Sequence, residues 1–233
     1  MHVLKDNILD IFNEISNVPS RKSKEEQLWV AGCSISAGEE VSAHSAYGNL
    51  LSSKLNKPIT TIAEGGSSNR FQASKILKCD LNKNDILFWG LTSFQRTPLY
   101  GIMDLPQEDK DLNKNMYHVN SYTYENKLTK NIIDQYIPIE LIDSNHMIYE
   151  SISAIQEVVN ICNKIGVILV IGGLLVDRMA DKFCEFFPNY TNFNNGKYLD
   201  VGTDGFHPGP KQHQLYADLF YKSYINNPNN NFG

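Results

Sequence analysis

Two short stretches of this 233-residue chain hold residue types at spacings that suit covalent chemistry. The first is Leu28-Trp-Val-Ala-Gly-Cys-Ser-Ile-Ser-Ala-Gly38, in which an apolar run stops at Gly32 and gives way to a thiol, Cys33, and two hydroxyls, Ser34 and Ser36. Glycine lets a buried strand bend sharply and present the next side chain at its carboxyl end, so Ser34 is a candidate nucleophile. The second is Asp204-Gly-Phe-His-Pro208. An aspartate three residues before a histidine in a Gly/Pro-rich turn can curl back to accept the ring Nδ1–H. That fixes the tautomer and leaves Nε2 as a general base toward a serine. Each stretch also has a plainer reading. Gly-x-Ser is an ordinary loop sequence after a strand, and Asp204 and His207 suit the capping or the surface of a helix start. A metal site built from Asp204, His207 and His213 is a further alternative, short of another firm ligand at fitting spacing. Cys33 competes with Ser34 as nucleophile. Neighbouring side chains on extended backbone point to opposite faces, so one of the two is buried, and cysteine buries more readily.

The elements that must position these residues alternate along the chain. Leu4, Ile8, Ile11, Phe12 and Ile15 recur at helical spacing and predict a leading helix. Apolar or β-branched runs predict strands over 27–33, 59–63, 85–90 and 167–171, with a weak last strand over 198–201. Between them the pattern predicts a helix starting near 42–45 with serines placed to cap it, and another over 70–78 after the Gly65-Gly-Ser-Ser68 turn. A helix marked by Ile148, Ile152, Ile155, Val159 and Cys162 follows, then a short one over 176–187. The last helix covers 211–225, with Pro210 suited to its first turn. Strands alternating with helices predict one α/β domain over 1–225, with three αβα layers around a doubly wound parallel sheet. Over 97–141 the periodicity dissolves into an Asn-, Lys- and Tyr-rich insertion, of the kind that more often forms a lid, binding wall or oligomer contact than a plain connector. Residues 226–233 are low in complexity and expected to fray. On a parallel sheet the loops after the strands share one edge. Ser34, Gly66 with Asn69, Thr92 with Ser93, and Asp204 with His207 all fall in such loops.

Composition narrows the partners. The net charge is −5, with acidic and basic residues intermixed, which argues against a nucleic-acid groove or an anionic membrane surface. No apolar run approaches the roughly 20 residues that span a bilayer. The opening Met1-His-Val-Leu-Lys-Asp6 lacks the basic and apolar regions of a secretory signal, so the expectation is a cytoplasmic protein. Cys33, Cys79, Cys162 and Cys184 lie far apart without metal-type spacing and read as reduced thiols.

Taken in order, these blocks resemble the SGNH (GDSL-type) hydrolases, in the branch with Gly-Cys-Ser in its first block. The resemblance implies a flavodoxin-like sheet and a carboxylic ester hydrolase working through an acyl-enzyme. Gly32-Cys-Ser-Ile-Ser-Ala-Gly38 is similar to the first block, which makes Ser34 the nucleophile with its own N–H in the oxyanion hole. Glu64-Gly-Gly-Ser-Ser-Asn69 is similar to the second, where Gly66 matches the glycine supplying another N–H. Asp204-Gly-Phe-His-Pro208 resembles the last block, with Asp204 as the acid and His207 as the base. Two departures stand out. Cys33 replaces the aspartate that usually precedes the serine. The asparagine of the third block is absent from Gly90-Leu-Thr-Ser93, where the Thr92 hydroxyl takes its place in a Thr92-Ser-Phe-Gln-Arg96 pattern. Losing one oxyanion donor costs on the order of 3 kcal/mol of transition-state stabilisation.

The expected substrate is a small acyl ester, such as an acetyl group on a carbohydrate, because no continuous apolar stripe would line a long-chain tunnel. Asn69, Ser93 and Arg96 are the candidate substrate-binding residues. Arg96 suits a carboxylate or phosphate, or equally a structural ion pair. No metal or organic cofactor is implied. The alternative is a non-catalytic module of the same fold that binds a glycan or a protein partner, with the altered third block marking lost catalysis. A nucleotide-binding protein is disfavoured because Gly32 to Gly38 lacks the lysine of a phosphate loop. The oligomeric state is not legible in the sequence.

Overall fold

The computed structural model describes residues 18–22, 24–94, 96–100, 116–119, 144–174, 187, 190–193 and 197–227. The expected leading helix, the body of the helix over 176–187, Cys184, most of the 97–141 insertion and the tail after 227 lie outside the described residues.

The chain begins with β1 (Leu28–Gly32), the one-turn α1 (Ser34–Ala37), a 3-10 turn (Ala43–Ser45), α2 (Tyr47–Leu55), β2 (Ile59–Thr61), α3 (Asn69–Ile76) and β3 (Ile86–Leu91). It continues with β4 (Thr97–Tyr100), β5 (Met116–Val119), α4 (Ser144–Ile165), β6 (Ile168–Gly173), β7 (Tyr190–Asn192) and α5 (Pro210–Ile225). Five strands form one parallel sheet in the order β2-β1-β3-β6-β7. That is the flavodoxin-like order, whose chain reversal between β1 and β3 opens a crevice at the carboxyl ends.

Side-chain alternation along the strands builds two cores, so the expected three layers are present. Leu28, Val30, Ile86, Phe88 and Val170 face Tyr47 and Leu51 of α2 and Tyr216, Phe220 and Tyr224 of α5. Trp29, Ala31, Leu87, Trp89, Leu169 and Ile171 face Ala73 and Ile76 of α3 and Ala154, Ile155, Val158 and Cys162 of α4. Strands covered on both faces read as continuous apolar runs, which is why β1, β3 and β6 were visible in the sequence. At their amino ends the fully buried Asp85 ties β1 to β3. It accepts from the Gln27 N–H at 3.1 Å, the Trp29 indole N–H at 3.1 Å and the Asn82 N–H at 2.9 Å, and it pairs with Arg21. Burial pushes this carboxyl pKa up, but Arg21 and the N–H donors together hold it below its ordinary value.

Three expectations are corrected. The fifth strand is β7, not 198–201, where only Val201 makes an isolated antiparallel bridge, to Pro208. Leu199 and Val201 are exposed and bury no strand face, whereas Tyr190 and the following Phe193 are buried in the core. No serine side chain caps α2: Ser42 and Ser45 bond each other at 2.9 Å, and the Tyr47 N–H donates to His213 Nδ1 at 3.3 Å. Within the irregular insertion, β4 and β5 pair antiparallel as a separate two-stranded ribbon.

Gly32 pairs with Gly90 and Gly90 with Gly172 across β1, β3 and β6, which removes side chains from one rung of the sheet. Helix α1 packs onto that rung. A Cβ on Gly32 would stand 1.9 Å from Ser36 Oγ and 2.7 Å from the Gly90 carbonyl oxygen, and one on Gly90 would stand 2.5 Å from Ser36 Oγ. The Tyr47 hydroxyl donates to Ser36 Oγ at 2.8 Å and holds it in the slot. Gly32 also has φ +147°, a conformation that favours glycine. Gly32→Ala is therefore expected to lower unfolding free energy by at least about 2 kcal/mol, from overpacking and backbone strain together. The urea midpoint of the variant against the wild type measures this.

Candidate active site

Ser34 opens α1 directly beyond the glycine rung. Cys33, at the N-cap position, is buried, while Ser34 is half-buried, the arrangement expected from alternation. As the first helical residue, Ser34 has an N–H without an intrahelical acceptor. No hydrogen bond engages this N–H or Ser34 Oγ among the described residues. The same holds for the N–H of Gly66, which lies exposed in the turn after β2 with φ +74°.

The second stretch forms a closed turn. The Gly202 N–H donates to the His207 carbonyl at 2.7 Å, and Gly205 takes φ +75°. Asp204 Oδ1 accepts from the N–H groups of Phe206 and His207 at 2.9 and 3.0 Å. Asp204 Oδ2 lies 2.5 Å from His207 Nδ1. The hydrogen bond from the His207 ring, followed by the Phe206 N–H, holds the Asp204 pKa down to about 2. An ionised carboxylate on Nδ1 assigns the proton to that nitrogen and leaves the Nε2 lone pair available. No hydrogen bond joins Nε2 to Ser34 Oγ in this structure; Glu39 Oε2 lies 3.9 Å from Nε2.

The segment after Ser34 links the loops of this edge. The Glu39 N–H donates to the Ser34 carbonyl at 3.1 Å. Glu39 Oε1 would lie 2.1 Å from a Cβ on Gly65, and Glu40 Cβ 2.8 Å from one on Gly202. Glu40 has φ +64°, and its carboxylate accepts from the Thr203 hydroxyl. Glu39 and Glu40 thus join the first, second and last blocks. Sequence reasoning missed both, and the only signal was an acidic pair directly after Gly38.

The remaining candidates divide by contact. Asn69 is fully buried. Its amide accepts from the Thr92 N–H at 2.9 Å and donates to the Thr92 carbonyl at 3.1 Å. In this structure the amide of Asn69, a candidate substrate-binding residue, clamps the loop after β2 to the loop after β3. Gln72 and Ser67 extend this buried network, with Gln72 Nε2 donating to Ser67 Oγ at 2.8 Å. Thr92 Oγ1 is buried and has no hydrogen-bond partner among the described residues. Ser93 is half-buried and engaged. Arg96 donates from Nη1 to the Ser67 carbonyl at 3.3 Å, and its Nε is buried without a partner. Burial pushes the pKa of this guanidinium down, and no carboxylate pairs with it among the described residues.

No protein-family model matches this chain, and no curated protein matches it. Solved structures do show likeness. The chain is similar to an acetyl xylan esterase, Est2A, from the rumen bacterium Butyrivibrio proteoclasticus, with 15% identity and a TM-score of 0.49 over 88% of this chain and 64% of that one. It is similar to TesA with 10% identity and a TM-score of 0.48, over 85% of this chain and 97% of that one. A Corynascus thermopiles (Myceliophthora fergusii) carbohydrate esterase family 2 enzyme shows 11% identity and a TM-score of 0.49, over 88% of this chain and 68% of that one. This chain therefore spans under two thirds of the acetyl xylan esterase's length.

His213 does not join Asp204 and His207 in a ligand set. It is fully buried on α5, stacked on Tyr47, with Nδ1 occupied by the Tyr47 N–H. Desolvation, with a lesser contribution from His207, pushes its pKa down to about 4 against an Asp200 charge that raises it. The unfolded imidazole protonates near its ordinary 6.5, so between those values the unfolded chain binds more protons. Stability should then fall as pH drops from 6.5 toward 4, by up to about 3 kcal/mol. Urea midpoints across this range test it. His213→Phe should flatten the slope while losing about 1 kcal/mol at neutral pH, where the Tyr47 N–H is left without its acceptor.

Proposed function

We propose that this protein is a serine ester hydrolase acting through an acyl-enzyme. The observation that carries the reading is the 2.5 Å contact between Asp204 Oδ2 and His207 Nδ1, on the sheet edge where Ser34 opens a helix. Ser34 Oγ attacks the ester carbonyl carbon and passes its proton to His207 Nε2. The oxyanion is held by the N–H groups of Ser34 and Gly66, with the Thr92 hydroxyl as a third donor. As the C–O bond breaks, Nε2 returns the proton to the leaving alcohol. Water then attacks the acyl-enzyme with His207 again as base, releasing the acid and restoring Ser34. Asp204 stays ionised throughout and steadies the imidazolium. The absence of a Ser34 Oγ–Nε2 hydrogen bond in the free protein is compatible with this route, because such bonds often tighten only when substrate is bound.

A small acyl ester of a carbohydrate is the substrate this reading favours. Phe206, between Asp204 and His207 in the chain, is 82% exposed and offers an aromatic face to a sugar ring. The guanidinium of Arg96, at the Ser67 carbonyl and without a carboxylate partner among the described residues, suits an acidic group on the substrate. A non-catalytic module of the same fold is the rival, favoured by the absence of a Ser34–His207 hydrogen bond.

A fluorophosphonate probe separates the two. Labelling that is lost in Ser34→Ala and kept in Cys33→Ser is the expected result; equal labelling of both variants points to a different nucleophile, and none of the wild type supports the rival. For the hydrolysis of 4-nitrophenyl acetate, Asp204→Asn should lower kcat by about 10³-fold or more, because the tautomer is no longer fixed.

A further inference from the structure

We infer that Glu39 selects the leaving alcohol by charge, favouring cationic alcohols over anionic ones; the inference rests on the hydrolase reading above. The leaving oxygen takes its proton from His207 Nε2 and must come within about 3 Å of it. Glu39 Oε2 lies 3.9 Å from the same nitrogen. Whatever alcohol departs therefore does so with its oxygen within about 7 Å of the Glu39 carboxylate.

The carboxylate is seated there by its surroundings. Oε1 lies against the Gly65 backbone, in space a β-carbon would claim, since the two would stand 2.1 Å apart. The next residue, Glu40, is held at φ +64° between Gly202 and the Thr203 hydroxyl. Charge is distributed unevenly about the Gly65-Gly-Ser67 turn. Glu39 lies against Gly65, and the Arg96 guanidinium bonds the Ser67 carbonyl, on either side in the chain of Gly66, whose N–H has no hydrogen-bond partner among the described residues. Among the described residues the charged side chains within 4 Å of the His207 ring nitrogens are carboxylates, Asp204 at Nδ1 and Glu39 near Nε2. The alcohol, protonated from Nε2, thus departs on the acidic side of the proposed site. The Glu39 side chain is 44% exposed, so water and salt weaken the discrimination to roughly tenfold.

The test compares acetylcholine with acetoxyacetate, which release the same acetate from a cationic and an anionic alcohol. At low ionic strength the wild type is expected to show about tenfold higher kcat/KM for acetylcholine, and the ratio should shrink with added salt. In Glu39→Gln the ratio should fall to within about twofold of unity, whatever happens to the absolute rates. Gly65→Ala, whose new methyl displaces the carboxylate, should move the ratio in the same direction. A wild-type ratio near unity, or a ratio that Glu39→Gln leaves unchanged, overturns the inference while leaving the hydrolase reading intact. A wild type that releases acetate from neither ester and takes no fluorophosphonate label overturns the hydrolase reading, and this inference with it.

Discussion

Gly32, Gly90 and Gly172 share one rung of the parallel sheet, and the geometry of the proposed site follows from that missing row of side chains. With β-carbons at Gly32 and Gly90, the Ser36 hydroxyl would have no seat and α1 would be lifted from the sheet. Lifting α1 would carry Ser34, its backbone N–H and the Glu39–Glu40 turn away from the neighbouring loops. Ser34, the proposed nucleophile, is thereby positioned through the backbone of β1 and β3, not through side-chain bonds of its own among the described residues. Among the described residues this leaves Ser34 Oγ and its N–H without hydrogen-bond partners, as the proposed reaction requires.

Around that anchored helix the edge is built in two ways. The loops after β2 and β3 are locked by buried polar pairs, the Asn69 amide on the Thr92 backbone and Gln72 on Ser67 and Trp89. Buried amides with both ends satisfied fix a conformation firmly, because breaking either bond strands a polar group away from water. The Asp204–His207 turn is instead solvent-accessible and holds its shape by local hydrogen bonds to Asp204.

The sequence revealed those features that depend on local chemistry. Burial on both faces made β1, β3 and β6 read as apolar runs, Ser68 was recognisable as a cap and accepts from the Phe71 N–H, and Pro210 begins α5 as its fixed φ allows. Asp204 and His207 are three residues apart, so their contact was legible from spacing alone. Features that depend on distant partners were not. The three-residue β7 has too short a pattern to declare itself, and its edge position is set by pairing with β6. The cap of α2 comes from His213, 166 residues away, which no local rule anticipates. Asn69 looked like a free polar group because its partner, Thr92, lies on another loop. Glu39 gains meaning only once the last block folds back against it.

The central claim is that Ser34, the Gly66 N–H and His207 act on one atom centre. The most direct measurement is a crystal structure of the protein inactivated with a small fluorophosphonate. The account predicts phosphorus bonded to Ser34 Oγ, a phosphonyl oxygen within about 3 Å of the Ser34 and Gly66 nitrogens, and His207 Nε2 within about 3.5 Å of a phosphorus-bound oxygen. Phosphorus on another residue, or an adduct on Ser34 with His207 turned away and the Gly66 N–H unused, would contradict it.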